Sequence, residues 1–306
     1  MEVRPIRPPE QRPAAALVYE VTRGVRPNED ELTAFLDQAR ALGTDLAQQA
    51  VAAAPDGRIV GCAAYFPMPD RTATATLPLC AAGFDRAEVQ VQLLRTLRTR
   101  AAQDGLLMLQ VFCEEDDAKA LDILKHSDFQ ELAVMLFMER TISPADRNIT
   151  LDKRIRWIPY GEERHDEFVR VVKESYSGTL DCPALGEIRD VNLTLQGYRR
   201  RGEFDPSLWL LAEMEDEPVA CLLPVHHPEE NSTEVAYVAV VPSHRGKGLG
   251  RKAMEKGLSE VALRSPESTV TLAVDETNIP AVNIYRGLDF TVTERKCVYF
   301  SLLATA

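Results

Sequence analysis

The feature of the sequence that most constrains its fold is an internal repeat. When the chain is aligned with itself at an offset of 161 residues, "DDAKALDILKHSDF" lies over "TNIPAVNIYRGLDF", so that Asp117 meets Asn278 and Phe129 meets Phe290. The apolar spacing agrees over several helix-like and strand-like segments, which disfavours a chance match. The sequence therefore predicts a tandem duplication, with one domain over 1–145 and a second over 150–306, joined near "TISPADRNITLDK".

The composition is typical of a folded globular protein. Of the 306 residues, 45% are hydrophobic and 27% are charged. No apolar run approaches the roughly 20 residues that a membrane-spanning helix needs, and the N-terminus "MEVRPIRPPEQRP" is too polar for a secretory signal. We therefore expect a cytoplasmic protein without a membrane partner.

Charge and cysteine usage exclude further classes of function. The net charge of −12 argues against general affinity for nucleic acid, which depends on basic patches. Six cysteines are scattered singly, with no C-x-x-C pair, which predicts reduced thiols rather than a zinc site or a disulfide framework. We expect no metal, and the oligomeric state is left open.

The second half alternates strand-like and helix-like patterns. Its predicted strands are 155–159, 208–213, 219–225, 234–241, 269–275 and 292–302, and its predicted helices are 162–175, 192–200, 248–264 and 280–286.

A glycine-rich turn precedes the predicted helix 248–264. The stretch "VVPSHRGKGLG" follows an apolar strand and contains Gly246, Gly248 and Gly250. Arg245 stands before the first of these glycines, and Lys247 stands between the first and the second. Helix N-termini present unpaired N–H groups and a partial positive charge, and glycines let an anion approach the backbone closely. The turn therefore predicts a phosphate site, although a merely tight turn has the same glycines.

Two familiar phosphate-binding turns do not fit this stretch. The Walker A pattern fails because Arg251 and Lys252 stand where G-K-[ST] would end. The dinucleotide fingerprint fails because Arg251 occupies the position of its third glycine.

The R-x-x-G-x-G spacing of Arg245, Gly248 and Gly250 resembles the acyl-CoA pyrophosphate loop of the GNAT superfamily of N-acyltransferases. A second motif agrees, since "VTLAVDETNIPAVNIYRGLDF" supplies Asn278 and Tyr285 at the spacing of that family, with Asp289 in place of its usual glycine. The resemblance implies an α/β fold of two tandem GNAT-like domains, each a mixed, mostly antiparallel sheet flanked by helices. It also implies acetyl-CoA as co-substrate, without a metal.

A narrower resemblance is to the mycothiol synthase family, whose members are tandem GNAT enzymes. It is carried by "FDPSLWLLAE" and by the spacing from Glu234 to Pro242. That resemblance implies that Glu234 is the general base and Tyr285 the general acid. A solvated strand end remains the alternative for Glu234, a core tyrosine is the alternative for Tyr285, and Glu213 with a water chain is another candidate base.

The same resemblance implies the cofactor contacts. The residues around the pyrophosphate would be Arg245, Gly246, Lys247, Gly248, Leu249 and Gly250. Backbone N–H groups near Ala239 and Val240 would hold the acyl carbonyl and the pantetheine arm if the strand bulges there, and Asn278 would contact the pantetheine.

The first half lacks this chemistry at the matching positions. "FDRAEV", with Asp85 and Glu88, stands where the second half has "RGKGLG", and Leu124 stands in the place of Tyr285. Two carboxylates would repel a pyrophosphate. We therefore expect the first domain to be non-catalytic.

The predicted function is transfer of an acetyl group from acetyl-CoA to a primary amine of a small molecule, within a ternary complex. A non-catalytic acyl-CoA-binding or regulatory module, and a protein N-terminal or lysine acetyltransferase, are the alternatives. We expect the acceptor site near Tyr176, Asp181 and Arg189, and we expect Arg199, Arg200 and Arg201 to form the exposed end of a helix.

Overall fold

A computed structural model describes residues 1–41, 44–150, 152–186 and 190–303. The strands are β1 (Glu2–Pro5), β2 (Gln49–Ala53), β3 (Ile59–Pro67), β4 (Thr72–Ala75), β5 (Leu79–Cys80), β6 (Met108–Cys113), β7 (Gln130–Thr141), β8 (Arg156–Pro159), β9 (Leu210–Met214), β10 (Glu217–His227), β11 (Ser232–Val240), β12 (Thr269–Asp275) and β13 (Thr291–Leu302).

The α-helices are α1 (Gln11–Arg23), α2 (Glu29–Ala41), α3 (Ala87–Gln103), α4 (Ala118–His126), α5 (His165–Ser175), α6 (Val191–Arg199), α7 (Leu249–Arg264) and α8 (Ile279–Arg286). None of the helices in the described part of the chain is long and apolar enough to cross a membrane.

The chain forms two compact units. Unit 1 contains Met1–Leu132 and the segment from Lys296 onward, and unit 2 contains Ala133–Arg295. The chain passes from one unit to the other within β7 and again within β13, whereas the sequence predicted a single boundary between 145 and 150. The difference arises because the last strand of each repeat pairs in the other unit, and pairing between distant segments leaves no local sequence signal.

Unit 1 contains a mixed sheet in which β1, β2, β3, β4 and β6 follow one another, with residues 297–302 of β13 beyond β6. The neighbours β4 and β6 are parallel, and the other pairs along this path are antiparallel.

Unit 2 repeats this plan with β8, β9, β10, β11 and β12, and residues 135–141 of β7 lie beyond β12. Here β11 and β12 are the parallel neighbours. Helices pack on both faces: Leu222 of β10 joins a core cluster that contains residues of α7 and α8, whereas Cys221 and Leu223 join a cluster with residues of α5 and α6. The predicted fold class is confirmed.

The repeat is visible in the local structure of α4 and α8. The side chain of Asp117 caps α4 by accepting from the N–H of Ala120 at 2.9 Å, and Asn278 caps α8 by accepting from the N–H of Ala281 at 3.4 Å. Both caps satisfy an N–H group that has no partner within its helix. The pattern that the two halves share is therefore a helix-start signal.

The turns after α4 and α8 are also alike. Asp128 and Asp289 both lie in the left-handed region, with φ of 61° and 64°. Phe129 and Phe290 follow them, are 3% exposed, and each donates its N–H to the carbonyl five residues earlier, on Leu124 and Tyr285. Asp289 thus takes the conformation that a glycine would adopt at this position, and the turn is preserved.

Asp289→Gly should raise the free energy of unfolding by about 0.5 kcal/mol, because glycine adopts a positive φ without the steric cost that a side chain has there. Asp289→Ala should lower it by about 1 kcal/mol, since alanine lacks the local hydrogen bonding that lets aspartate tolerate this region. Urea denaturation would measure both, and Asp128→Gly in unit 1 should gain less, because it also removes the ion pair of Asp128 with Arg98 at 2.6 Å. A destabilising glycine at 289 would contradict this account.

Candidate active site

A cleft opens between β11 and β12 because the two strands pair over only a short stretch. The parallel ladder joins Ser232 to Thr269, Thr233 to Val270 and Glu234 to Thr271. Beyond this point the cleft holds a cavity of about 500 Å³, lined by residues 235–240 of β11 and 272–274 of β12. The described ladder therefore ends where the cavity begins.

The opposite edge of β11 is paired with β10 and contains one irregularity. The register passes from Leu223 with Tyr237 to Pro224 with Val235, so that Ala236 is the extra residue of a bulge. Pro224 has no N–H to contribute to the ladder, and its carbonyl accepts from the indole N–H of Trp209 at 3.0 Å.

The bulge thus lies at Ala236 and not around Ala239 and Val240, where the family resemblance implied it. Ala239 pairs with Cys221 and Val240 with Ala220 in regular register. The physical reason is the proline in the neighbouring strand, which interrupts the ladder opposite Ala236. Ala239 and Val240 nevertheless line the cavity.

The glycine turn lies at one end of the cavity. Gly246 and Gly248 have φ of 74° and 79°, and Gly248 is the N-terminal cap residue of α7. Leu249 and Gly250 begin the helix and line the cavity together with Gly246 and Gly248. The first N–H groups of α7 have no intrahelical partner, so this end of the cavity favours an anion.

The two cations of the turn have different surroundings. Arg245 lines the cavity, and its guanidinium donates to the carbonyls of Val240 (3.2 Å), Ser175 (2.6 Å), Ser177 (2.9 Å) and Gly178 (2.9 Å). Lys247 is exposed and does not line the cavity.

Tyr285 and Asn278 bring α8 to the cavity. Both residues line it, and Tyr285 is 7% exposed, with its ring 6.0 Å from that of Phe290. Burial raises the pKa of the Tyr285 phenol well above its usual value, and the negative charge of Asp181 raises it further. The phenol is therefore neutral at physiological pH and can donate a hydrogen bond into the cavity.

Glu234 lies at the last ladder pair of β11 and β12, one residue before the cavity lining begins. Its carboxylate accepts from Arg201 at 2.9 Å and is 3.6 Å from Nε2 of His227. Glu234 is thus next to the cavity but not in its lining.

The alternative base, Glu213, is tied into the sheet on β9. Its carboxylate is 2% exposed and pairs with both Arg156 and Arg164. It does not line the cavity.

The predicted acceptor residues are only partly brought together. Asp181 lines the cavity, whereas Tyr176 is outside the lining and packs edge-on against Tyr237 at 6.4 Å. Arg189 lies outside the described residues.

Tyr237 was missed by the sequence analysis: it lines the cavity, and its hydroxyl is 2.9 Å from that of Ser175. Its place in an apolar strand gave no signal of this role.

The prediction for Arg199 was wrong. Its guanidinium does not project into solvent but lies over the rings of Tyr160, Phe204 and Trp209, at 4.5, 5.0 and 5.7 Å from their centres. Cation–π attraction to three rings explains why this arginine turns inward at the end of α6.

Within the described parts of the chain, no group of three or more His, Cys, Asp or Glu side chains could hold a metal ion.

The sequence is similar to those of known acetyltransferases. Residues 173–290 match the family model described as the acetyltransferase (GNAT) family. The mycothiol acetyltransferase of Thermomonospora curvata is 31% identical over 242 residues, which are 77% of this chain and 76% of that protein. The mycothiol acetyltransferase of Kineococcus radiotolerans is 42% identical over 89 residues, which are 29% of this chain and 28% of that protein.

Solved structures share the fold at low sequence identity. A GCN5-related N-acetyltransferase from Sphaerobacter thermophilus aligns with a TM-score of 0.64 at 19% identity, over 99% of this chain and 95% of that one. A tandem GNAT protein from the clavulanic acid biosynthesis pathway aligns with a TM-score of 0.58 at 16% identity, over 100% and 99% of the two chains.

The raised pKa of Tyr285 predicts a pH dependence of stability. An unfolded tyrosine ionises near pH 10, so above about pH 10 the unfolded state loses a proton that the folded state keeps. The contribution of this group is complete below that pH and is lost as the pH rises toward the folded pKa. Urea denaturation between about pH 8 and pH 11 should therefore show a smaller loss of stability for Tyr285→Phe than for the wild type.

The difference should approach about 1.4 kcal/mol per pH unit above pH 10. Tyr237→Phe is the matched variant, because burial also raises the pKa of Tyr237 well above its usual value. Identical losses in the wild type and in Tyr285→Phe would show that the Tyr285 phenol is not buried.

Proposed function

This chain belongs to the acetyltransferase (GNAT) family, and on that premise we propose that unit 2 transfers an acetyl group from acetyl-CoA to a primary amine of a small molecule. The enzyme class is that of an acyl-CoA-dependent acetyltransferase. The acceptor and the roles of individual residues are our proposal.

The observation that carries the proposal is the cleft with the glycine turn at one end. Acyl-CoA combines a pyrophosphate with an extended arm that contains amide groups. The N–H groups that begin α7, together with the backbone of Gly246 and Gly248, suit the pyrophosphate. The edge of β11 that faces the cleft, including Ala239 and Val240, suits the arm and the acyl carbonyl, because a strand edge pairs with amide groups. Asn278 would contact the same arm.

The reaction is a direct transfer. The neutral amine attacks the thioester carbonyl carbon, the new C–N bond forms, and the C–S bond then breaks to release the CoA thiolate. The nitrogen loses one proton to a base, and the thiolate gains one, so that amide and free CoA are the products. Both substrates must be present together, because no acyl-enzyme is formed.

Tyr285 would donate the proton or hydrogen bond to the departing thiolate. Its support is its place in the cavity lining and its raised pKa, which keeps the donor proton in place at neutral pH. Glu234 would receive the proton of the amine through water, since it lies just beyond the end of the cavity lining and is bound by Arg201.

The acceptor that we propose is a small-molecule amine of the kind that the mycothiol acetyltransferases handle. The support is the similarity to such proteins over 77% of this chain. A cysteinyl sugar fits this class, as do other small amines such as aminoglycosides.

We propose that unit 1 does not catalyse transfer. Leu124, which matches Tyr285, is fully buried and has no proton to give. Asp85, which lies in the stretch that matches the glycine turn, forms an ion pair with Lys119 at 2.9 Å, and this bond lowers the pKa of Asp85. A carboxylate there disfavours a pyrophosphate.

Gly248→Val should weaken acetyl-CoA binding by more than about a hundredfold in calorimetry, because a side chain at a positive φ distorts the turn and fills the space that the anion needs. Gly24→Val is the matched control: Gly24 caps the C-terminus of α1 with φ of 70°, and like Gly248 it has open space where a side chain would begin. The control should bind acetyl-CoA as the wild type does. Absence of binding in the wild type would exclude the transferase proposal.

Tyr285→Phe and Glu234→Gln should each lower kcat by about 10²-fold or more, because each removes a proton-transfer group. The assay follows release of free CoA with des-acetylmycothiol and a panel of other small amines. Glu229→Gln, in the exposed turn before β11, is the matched control and should retain activity.

A wild-type protein that binds acetyl-CoA but acetylates no amine would favour a non-catalytic acyl-CoA-binding module. The position of Glu234 outside the cavity lining is the observation that keeps this second candidate open to test. Full activity of Glu234→Gln with loss of activity in Tyr285→Phe would assign the base role to water.

A further inference from the structure

The segment that follows α5 forms one wall of the cavity. We call residues 176–182 the strap. Gly178, Thr179, Leu180 and Asp181 of the strap all line the cavity. The strap contains no helix or strand of its own, so its position depends on bonds to other parts of unit 2.

The first anchor of the strap is Arg245. Its guanidinium donates to the carbonyls of Ser177 and Gly178 within the strap, both at 2.9 Å, and to that of Ser175 at the end of α5, at 2.6 Å. Its Nε donates to Val240 at the end of β11, at 3.2 Å. One side chain of the glycine turn thus joins β11, α5 and the strap.

The second anchor is at the end of β12. Asp275 is 3% exposed, and its carboxylate accepts from the N–H of Cys182 at 3.2 Å and from the N–H and hydroxyl of Thr277 at 2.9 and 2.7 Å. In return the N–H of Asp275 donates to the carboxylate of Asp181 at 2.9 Å. Cys182 has φ of 45°, a strained conformation for a residue with a side chain, and the bond to Asp275 holds it there.

The anchors are attached to the two strands that separate to form the cleft. Arg245 follows β11, and Asp275 ends β12. The strap therefore spans the opening between these strands and is fixed at both sides.

The number of N–H donors on the Arg245 guanidinium limits how this side chain could bind a phosphate. A guanidinium has five N–H donors, and a bidentate grip on a phosphate needs two of them on one edge. The four bonds to backbone carbonyls leave one donor. Arg245 cannot hold a pyrophosphate in this way without releasing at least one of these carbonyls.

We propose that Arg245 is a positioning residue that couples the glycine turn to the strap, so that an anion bound by the backbone of the turn orders the wall of the cavity formed by residues 178–181. The proposal rests on the proposed function only for the identity of the ligand as acetyl-CoA. The turn and the strap share Arg245, and an anion that fixes residues 246–250 also fixes the backbone that carries its side chain.

The test compares Arg245→Met, Arg245→Lys and Asp275→Asn by amide hydrogen exchange and by calorimetry with acetyl-CoA. In the wild type, acetyl-CoA should slow exchange of both the turn and the strap. In Arg245→Met, the ligand should still protect residues 246–250, but strap amides should exchange about tenfold faster and gain no protection on binding. The acetyl-CoA Kd should change by less than about threefold, because backbone N–H groups carry the pyrophosphate.

Arg245→Lys separates charge from geometry. A lysine keeps the positive charge near the pyrophosphate but cannot reach four carbonyls, so it should behave like the methionine variant. Asp275→Asn is far from the turn in the chain and should loosen the strap in the same way, with ligand protection of the turn retained. If the Arg245 variants do not fold, Asp275→Asn still tests whether the order of the strap depends on its anchors.

Loss of acetyl-CoA affinity by about tenfold or more in Arg245→Met, with normal affinity in Arg245→Lys and unchanged strap exchange in both, would overturn the proposal and make Arg245 a pyrophosphate ligand. Unchanged strap exchange in Asp275→Asn would also contradict it. If the wild type binds no acetyl-CoA, the proposed function fails. Faster strap exchange in the unliganded variants still reports on the bonds between Arg245 and the strap, and loss of coupling is then tested with inorganic pyrophosphate.

Discussion

The separation of β11 from β12 is the constraint on which the site depends. The strands are held together by three residue pairs and by their outer neighbours, β10 and β7. Past Glu234 and Thr271 the inner edges diverge, and backbone groups that a sheet normally pairs face a cavity instead. A ligand with amide groups can satisfy such an edge, whereas a purely apolar one cannot.

The C-terminus of α5 and the N-terminus of α7 both lie at this cleft, with partial charges of opposite sign. Residues of the glycine turn contribute to both helix ends. The C-terminus of α5 presents carbonyl groups, and the cation of Arg245 binds them. The N-terminus of α7 presents N–H groups, which are suited to an anion. Arg245 thus neutralises the C-terminus of α5, while the glycines that follow it leave the N–H groups of α7 available to an anion. On the other side of the opening, at the end of β12, the bonds of Asp275 to Asp181 and Cys182 hold the strap.

Much of this arrangement could be predicted from the sequence, because its signals are local. The glycines at a helix start, the repeat that aligns Asp117 with Asn278, and Tyr285 on the inner face of a short amphipathic helix are all set by spacing along the chain. The pairing of β7 with β12 in unit 2 and of β13 with β6 in unit 1 could not be predicted from the sequence, because the paired strands are far apart along the chain. The bonds of Arg245 to carbonyls, the bulge at Ala236 and the inward turn of Arg199 likewise depend on backbone and rings that come together only on folding.

The exchanged strands make the two repeats mutually dependent. A polypeptide cut at the junction of the repeats would leave β12 without residues 135–141, and would leave β6 without residues 297–302. Each fragment would then expose an unpaired inner strand, which is a template for aggregation. Deletion of either repeat would therefore remove a strand that pairs with a strand of the other repeat. The repeat that we propose to be non-catalytic therefore still supplies a strand on which the sheet of the other repeat depends.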